Sequence, residues 1–128
     1  MERKTSAELR QIPLAPVNPI RVTERAQSLA AAVLMAGDIA IDGTAGKGRD
    51  TAFLAQVVGP TGHVHSFDIQ PEAIASTDNL CTLAGLSSRV SLHHRSHAEI
   101  ATVLPAGHRG KVGAAIFNLG YLPGGNPD

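Results

Sequence analysis

The residues with the clearest chemical potential form a glycine-rich segment that follows a short apolar run. Residues 39–41 read Ile-Ala-Ile, and the segment from Asp42 to Gly48 then reads DGTAGKG. Glycines let backbone N–H groups contact a ligand where side chains would clash. The segment does not complete the dinucleotide pattern G-x-G-x-x-G, because the third glycine position after Gly46 holds Thr51. It also lacks the Gly-Lys-Ser/Thr ending of a Walker A loop.

What the segment does match is an acidic residue followed by small-x-Gly-x-Gly. The residues of this pattern are Asp42, Thr44, Gly46 and Gly48. The pattern resembles motif I of class I S-adenosylmethionine-dependent methyltransferases, in which the loop wraps the amino-acid part of the cofactor. The resemblance implies that the acidic residue helps to hold the ammonium side of the cofactor. A plain strand-to-helix turn with incidental glycines is the alternative interpretation.

A second acidic residue stands where a ribose is bound in nucleotide-binding α/β units. Asp68 lies 20 residues after Gly48 and ends a second apolar run, residues 63–67. An acidic residue at this place accepts hydrogen bonds from both ribose hydroxyls. An Asp before Gln-Pro can also cap the next helix, and the two roles are compatible. NAD and S-adenosylmethionine both carry a ribose diol, so it is the loop pattern that favours the sulfonium cofactor.

A polar residue and an aromatic residue follow the last apolar run. Residues 117–123 read FNLGYLP, which resembles motif IV of amino-group methyltransferases, although Leu119 and Gly120 replace its paired prolines. A nucleophilic nitrogen must be neutral with its lone pair aimed at the methyl carbon. The Asn118 side chain and the Leu119 carbonyl can accept its N–H groups while Tyr121 packs against the base, so that catalysis is mostly positioning. A strand exit with an Asn turn and a packed Tyr is the alternative.

The elements that must position these residues alternate between short apolar runs and helical patterns. The alternation predicts a parallel, Rossmann-like, doubly wound α/β sheet with ligands at the strand carboxyl ends. The resemblance to class I methyltransferases implies that its strands are ordered 3-2-1-4. Residues 1–22, which are polar and rich in proline, are interpreted as an N-terminal arm, and residues 23–128 as the domain. The predicted helices are Thr23 to Met35, Asp50 to Val58, Pro71 to Ala84 and Ala98 to Leu104, and the predicted strands are residues 39–41, 63–67, 90–92 and 112–117.

The amino-acid composition excludes several classes of protein. The 128 residues carry eleven basic and eleven acidic side chains, which excludes a broadly basic nucleic-acid coat and leaves any RNA contact to a local patch. Four aromatic residues are too few for an RNA-stacking sheet. The longest apolar run, residues 29–36, is too short to cross a bilayer, and the single cysteine argues against a disulfide framework. A reducing, cytoplasmic setting is the default expectation.

The histidines and the cysteine are interpreted conservatively. No carboxylate stands at a supporting spacing from the nearby histidines of residues 93–97, so no metal site is expected. His63 and His65 alternate with Val64 and are expected at the strand surface. Cys81 is expected to be a small core residue.

Four motifs in order resemble the rRNA methylase (YtqB-like) family of class I methyltransferases. They are residues 42–51, residues 68–70 (DIQ), residues 96–97 (SH) and residues 117–125 (FNLGYLPGG). The resemblance implies S-adenosylmethionine as cofactor and, by similarity to characterised members, a tRNA wobble 5-aminomethyl-2-thiouridine as methyl acceptor. It implies catalytic roles for Asn118 and Tyr121. The implied cofactor-binding residues are Asp42, Thr44, Gly46, Lys47, Gly48, Asp50, Thr51, Asp68, Gln70, Ser96, His97 and Asn118.

Some positions depart from the family pattern. Lys47 and Arg49 stand where Asn and His are common, and Gln27 stands where a histidine of an N-terminal helix is often found, so no role is carried over to Gln27. The family also continues beyond the length of this chain, from which we expect a truncated form with an exposed fourth-strand edge that favours homo-oligomers. Such a form is expected to show little methyl transfer by itself.

The favoured function is therefore an S-adenosylmethionine-dependent N-methyltransferase that acts on tRNA or rRNA, without a membrane partner. One alternative is a non-catalytic fragment that binds S-adenosylmethionine. A less favoured alternative is an NAD(P)-dependent oxidoreductase.

Overall fold

In the computed structural model of the protein, residues 19–118 are described, with side chains from residue 24 onward. Helices and strands alternate along this part of the chain. The helices are α1 (Pro19–Val33), α2 (Arg49–Val58), α3 (Pro71–Leu83), α4 (Ile100–Val103) and α5 (Ala106–Arg109), with short 3-10 turns at Ser87–Arg89 and His97–Glu99. The strands are β1 (Ile39–Asp42), β2 (His63–Asp68), β3 (Val90–His94) and β4 (Val112–Ile116).

The four strands form one parallel sheet in the order β3-β2-β1-β4, as the sequence predicts. Asp42 pairs with Ser66 of β2 on one side and with Ile116 of β4 on the other. Asp68 pairs with His94 at the end of β3. The carboxyl ends of all four strands therefore meet along one edge, which brings together residues that are far apart in sequence.

A core fills both faces of this sheet. The face covered by α1, α2 and α3 buries Leu54, Val58, Val64 and Cys81, so that the core position expected for Cys81 is confirmed. The opposite face buries Ile41, Phe67 and Leu104. Strand β1 is buried along its whole length, which fits a central parallel strand covered on both faces.

The predicted boundaries are wrong for two helices, the first of which also ends at Val33 rather than Met35. Helix α1 begins at Pro19 rather than Thr23, since a proline without an N–H is well tolerated in the first turn. The helix predicted from Ala98 to Leu104 is instead a 3-10 turn followed by the four-residue helix α4. Residues 1–18 of the predicted arm lie outside the described residues.

Strand β4 lies at the edge of the sheet, and within residues 19–118 its strand partner is β1. Self-association through that edge stays a prediction. Among the described residues, no helix is long and apolar enough to span a membrane.

The expectation that His65 lies at the surface is wrong, because α4 and α5 cover this part of β2. The His65 side chain is 3% exposed, and its Nδ1 and Nε2 atoms lie 3.0 Å from His93 Nε2 and 2.8 Å from His108 Nδ1. A neutral imidazole has one donor and one acceptor, so His65 donates to one of these partners and accepts from the other. Within residues 24–118, no group of three or more His, Cys, Asp or Glu is arranged to hold a metal ion.

Burial is the main reason for the low proton affinity of this cluster. Burial, together with the neighbouring imidazoles of His63, His93 and His108, lowers the pKa of His65 to about 4. Burial also lowers the pKa of His63 and of His93 below their usual range.

We expect the free energy of unfolding to fall as the pH is lowered from about 6.5 to about 4, because the unfolded chain then binds protons that folded His65 does not. A His65→Leu variant should show a weaker dependence over this range. The measurement is urea unfolding at a series of pH values, with His94→Leu, which changes an exposed histidine, as the matched control. If the free energy of unfolding depends on pH equally in wild type and His65→Leu, His65 is not the group that causes the dependence.

Candidate functional site

The glycine-rich segment forms a loop between β1 and α2 that is hydrogen-bonded to both strands beside β1. The Gly43 N–H donates to the Ile116 carbonyl at 2.8 Å, and the Ala45 N–H donates to the Phe67 carbonyl at 2.8 Å. The first bond attaches the loop to β4 and the second attaches it to β2. The loop therefore spans the point where the strand order reverses, which is where open α/β sheets bind ligands.

At two positions of the loop, neighbouring atoms leave no room for a side chain, so only glycine fits. A Cβ atom at Gly43 would stand 2.2 Å from Cδ2 of Phe117, so any side chain there would displace the ring. Gly48 has φ of +92° and a Cβ atom there would stand 2.8 Å from the Cα atom of Thr77. Gly48 is also the N-cap of α2 and supplies no side-chain cap, which leaves N–H groups of the first turn for a ligand.

Asp42 lies beneath the loop and is 0% exposed. Its Oδ1 accepts a hydrogen bond from the Thr44 N–H at 3.0 Å, and its Oδ2 accepts one from the Thr51 hydroxyl at 2.7 Å. The Thr51 oxygen also lies 2.7 Å from the Ser66 hydroxyl, and since the single Thr51 hydrogen points to Asp42, Ser66 is the donor there. A buried chain of hydroxyls thus joins β2, α2 and the loop.

The charge of Asp42 is disfavoured in this position. The pKa of Asp42 is raised to about 6. Burial is the main cause, the hydrogen bonds from Thr51 and Thr44 partly offset it, and the charges of Asp50 and Asp68 raise the pKa further. Both carboxylate oxygens are already used by the protein. The arrangement makes Asp42 a residue that shapes the loop, and its direct contact with a ligand stays a prediction.

Asp68 holds the outer side of the loop. Its Oδ2 accepts a hydrogen bond from the Gly46 N–H at 3.0 Å, and its Oδ1 accepts one from the Gln70 N–H at 2.9 Å. The second bond closes the turn before α3. The N-cap residue of α3 is Gln70, so the alternative that Asp68 caps this helix is wrong. Each carboxylate oxygen can accept a further hydrogen bond, so a ribose role is compatible with this geometry and stays a prediction.

Gln27 of α1 contacts the loop and had no role in the sequence interpretation. Its Nε2 donates to Asp50 Oδ1 at 2.7 Å, and Asp50 in the first turn of α2 is 7% exposed. A signal for this contact exists in the sequence. Gln27 lies one turn before Ala30 of α1 and two turns before Leu34, which directly follows α1. Ala30 and Leu34 are both buried, so Gln27 is a polar residue in an apolar stripe.

The end of β4 is joined to the same loop. The Asn118 backbone N–H donates to the Thr44 hydroxyl at 2.7 Å, and the Phe117 ring that covers Gly43 stacks edge-to-face on His97 with ring centroids 5.4 Å apart. Ser96 accepts from the Ala98 N–H at 3.1 Å and caps the 3-10 turn.

The remaining residues that the sequence predicts for the site differ in how exposed they are. Lys47 and Gln70 are exposed, Thr51 is fully buried beneath the loop, and Tyr121 lies outside the described residues. The structure thus brings most of the predicted residues around one loop: Asp42, Thr44, Gly46, Gly48, Asp50, Thr51, Asp68 and Asn118.

The family model that matches this chain and a similar curated protein are both named as RNA methylases. A family model described as "Putative rRNA methylase" matches residues 64–128. The chain is 38% identical over 114 residues to the chloroplastic tRNA (mnm(5)s(2)U34)-methyltransferase of Arabidopsis thaliana, and the match covers 83% of this chain and 41% of that protein.

Solved structures with a similar fold include a protein described as a putative rRNA-methylase from Clostridium thermocellum. It is 36% identical with a TM-score of 0.73, over 90% of this chain and 58% of that one. A methyltransferase-like protein from Streptococcus mutans, SMU.1697c, solved in complex with SAH, is 33% identical with a TM-score of 0.68, over 88% of this chain and 57% of that one. The chain thus spans less than two thirds of the length of each of these relatives.

We expect Asp42→Asn to raise the free energy of unfolding at pH 7–8 by up to about 3 kcal/mol, because the folded wild type must hold a buried charge there. The asparagine keeps an acceptor for Thr44, and its amide can donate to Thr51, which then donates to Ser66. The gain should shrink as the pH falls from about 6 to about 4, where wild-type Asp42 takes up its proton.

Urea unfolding between pH 4 and pH 8 checks this expectation. Asp78→Asn, which makes the same change at an exposed position of α3, is the control and should alter stability little. A loss of stability in Asp42→Asn at pH 8 would show that its charge is needed by the fold.

Proposed function

The chain belongs to the putative rRNA methylase family, and we propose that it binds S-adenosylmethionine and serves as an N-methyltransferase acting on RNA. The observation that carries this proposal is the loop held between β2 and β4, with the Gly46 N–H on Asp68 and the first turn of α2 open to a ligand. Two further facts support it: the similar Streptococcus mutans protein was solved in complex with SAH, and the Arabidopsis relative is named as a tRNA methyltransferase.

The cofactor fits the residues that surround the loop. Because Gly43 has no side chain, the Phe117 ring packs directly against the loop and can form one wall of the cofactor site. We assign Asp68 to the two ribose hydroxyls, since its carboxylate is partly exposed and retains acceptor capacity. His97 beside Phe117 is assigned to the adenine side, and Thr44, Lys47, Gly46 and Gln70 to the surrounding wall.

In the proposed reaction the cofactor supplies an electrophilic methyl group, and the chain supplies position. Asn118 stands directly after β4, and its backbone N–H is fixed on Thr44 of the cofactor loop. This attachment keeps the acceptor end and the cofactor end of the site in register. The Asn118 side-chain oxygen would accept an N–H of the amine so that the nitrogen lone pair faces the methyl carbon. Tyr121 is proposed to pack against the base, on the strength of the sequence motif.

The substrate that we propose is the aminomethyl group of a tRNA wobble 2-thiouridine. It is supported by the name of the Arabidopsis relative and by the residues of the last motif. An rRNA acceptor is the broader alternative within the family. We propose a reducing, cytoplasmic setting, which the lone buried Cys81 supports, although the Arabidopsis relative is named as chloroplastic.

Calorimetry with S-adenosylhomocysteine tests cofactor binding. We expect binding of this ligand and none of NADH, and we expect Asp68→Ala to weaken the affinity at least tenfold, since each charge-assisted hydrogen bond contributes ~1.5–3 kcal/mol. Comparable binding of NADH would favour an oxidoreductase instead. Unchanged affinity in Asp68→Ala would show that Asp68 does not bind the ribose and only closes the turn before α3.

Methyl transfer from tritiated S-adenosylmethionine to tRNA that carries 5-aminomethyl-2-thiouridine tests the acceptor side. Asn118→Ala should lower kcat while the affinity for S-adenosylhomocysteine stays nearly unchanged, because its side chain serves mainly the reacting amine. Equal turnover in both proteins would reduce Asn118 to a turn residue. Cofactor binding without any transfer by the wild type would favour a non-catalytic binding role.

A further inference from the structure

Four histidines meet on the sheet face that α4 and α5 cover. His63 and His65 lie on this face of β2 because they alternate with Val64, and His93 of β3 and His108 of α5 complete the group. Three of the rings form a chain, in which His65 Nδ1 lies 3.0 Å from His93 Nε2 and His65 Nε2 lies 2.8 Å from His108 Nδ1. This histidine chain (His93, His65 and His108) connects α5 to two strands of the sheet.

The segment that the histidine chain attaches to the sheet comprises residues 97–109, which we call the cover segment. It consists of the 3-10 turn His97–Glu99 and the helices α4 and α5, which have four residues each. Helices this short are marginal by themselves and depend on what they pack against. The cover segment packs on the sheet through the buried Leu104, and the His108 ring adds a hydrogen bond to β2.

The two contacts of the histidine chain limit the number of hydrogens that it can hold. Its three rings have six ring nitrogens, of which four face one another in two pairs, and each pair can hold one hydrogen. With one more at each end of the chain, four hydrogens fit, and three neutral imidazoles already carry three. One extra proton is therefore accepted with both contacts intact. A second extra proton places two N–H groups against each other, so that one contact must break.

The contact to α5 is the one that we expect to break. His65 and His93 lie in the paired strands β2 and β3, and the His93 ring also stacks on Phe67 with ring centroids 4.6 Å apart. His108 is half-buried and lies in a four-residue helix. Moving His108 therefore disrupts less structure than moving either strand residue, and the second proton separates α5 from the sheet.

The groups that act on His65 disfavour added protons. Burial and the imidazoles of the other three histidines lower its pKa, and none of these causes is a carboxylate. The charged side chains near the histidine chain are Arg95, which acts on His93, Glu99, which lies 3.4 Å from Arg95, and Arg109 of α5, which donates to the Leu104 carbonyl. The other elements on this face supply apolar side chains: Ile41 of β1, Ile100, Val103 and Leu104 around α4, and Val112 of β4.

We propose that the histidine chain is a proton-sensitive attachment, which holds the cover segment on the sheet with at most one extra proton and releases α5 when a second is bound. The cover segment begins with His97, whose ring lies edge-to-face on Phe117 with centroids 5.4 Å apart, and Phe117 packs against Gly43 of the cofactor loop. Release therefore withdraws His97 from the loop and lowers the affinity for the cofactor, a consequence that rests on the proposed function. His65 and His108 are positioning residues, since they act through the cover segment.

NMR of the full chain without ligand tests the release itself. The backbone amide signals of residues 100–109 are followed from pH 7.5 to pH 4, and the amides of α2 report whether the rest of the fold is kept. In wild type the cover segment should lose its folded signals while α2 keeps them. The ratio of released to attached protein should rise more than about tenfold per pH unit, because release takes up more than one proton.

Two substitutions in the histidine chain separate the attachment from general acid sensitivity. His108→Asn places an amide where Nδ1 stands, which can donate to or accept from His65 and does not titrate, so the released population at pH 5 should fall about tenfold. His65→Leu removes both contacts and should remove most of the pH dependence of the cover segment. His94→Asn, at an exposed histidine, is the matched control and should behave as wild type does.

Calorimetry with S-adenosylhomocysteine at pH 7 and pH 5 tests the consequence for the cofactor loop. Wild type should lose about tenfold more affinity over this range than His108→Asn, because only the attached fraction presents His97 to the loop. Asp42 and Asp68 titrate alike in the two proteins, so their contribution cancels in the comparison.

The outcomes separate this inference from the proposed function. If the cover segment is lost together with α2, or is released at the same pH in wild type and His108→Asn, the attachment is overturned. If the release occurs but affinity falls equally in both proteins, the link through His97 is wrong and the attachment stands. If wild type does not bind S-adenosylhomocysteine at pH 7, the proposed function is wrong and the NMR result alone decides the attachment.

Discussion

The buried carboxylate of Asp42 is the constraint on which the rest of the site depends. A charge with no exposure to water is stable only if the protein supplies hydrogen bonds, and here the donors are the Thr44 N–H and the Thr51 hydroxyl. Those two donors lie on either side of the loop, so satisfying the carboxylate also fixes the path of the chain from β1 into α2. Ser66 extends the network to β2. The position of the loop therefore follows from the need to solvate one acidic group.

The loop in turn joins the carboxyl ends of strands that lie on the two sides of β1. Its N–H groups bind β4 through Gly43, β2 through Ala45 and the Asp68 carboxylate through Gly46. Asn118 is drawn to Thr44 by the same arrangement. As a result, residues from the carboxyl ends of three strands share one small region.

Each face of the sheet buries one ionisable side chain, and burial shifts the two pKa values in opposite directions. Beneath the loop, burial raises the pKa of Asp42, so this carboxyl group takes up its proton at a higher pH in the folded protein than in the unfolded chain. On the face covered by α4 and α5, burial lowers the pKa of His65, so the folded protein favours the neutral imidazole. In both cases the cause is the loss of water around a charge, and in both cases the neutral form is the one that fits the interior.

The sequence by itself determined the alternation of helices and strands and the glycine loop, because apolar periodicity and turn residues are local signals. The strand order 3-2-1-4 was implied by the resemblance to class I methyltransferases and is confirmed by the structure. It also picked out Asp42, Asp68 and Asn118 from their places at strand ends. The tertiary structure alone decided which contacts they make. The Gln27–Asp50 bond joins residues 23 positions apart, and the burial of His65 depends on His108, which lies 43 positions away. No local pattern encodes such pairs, since burial and hydrogen bonding are settled only when the helices pack on the sheet.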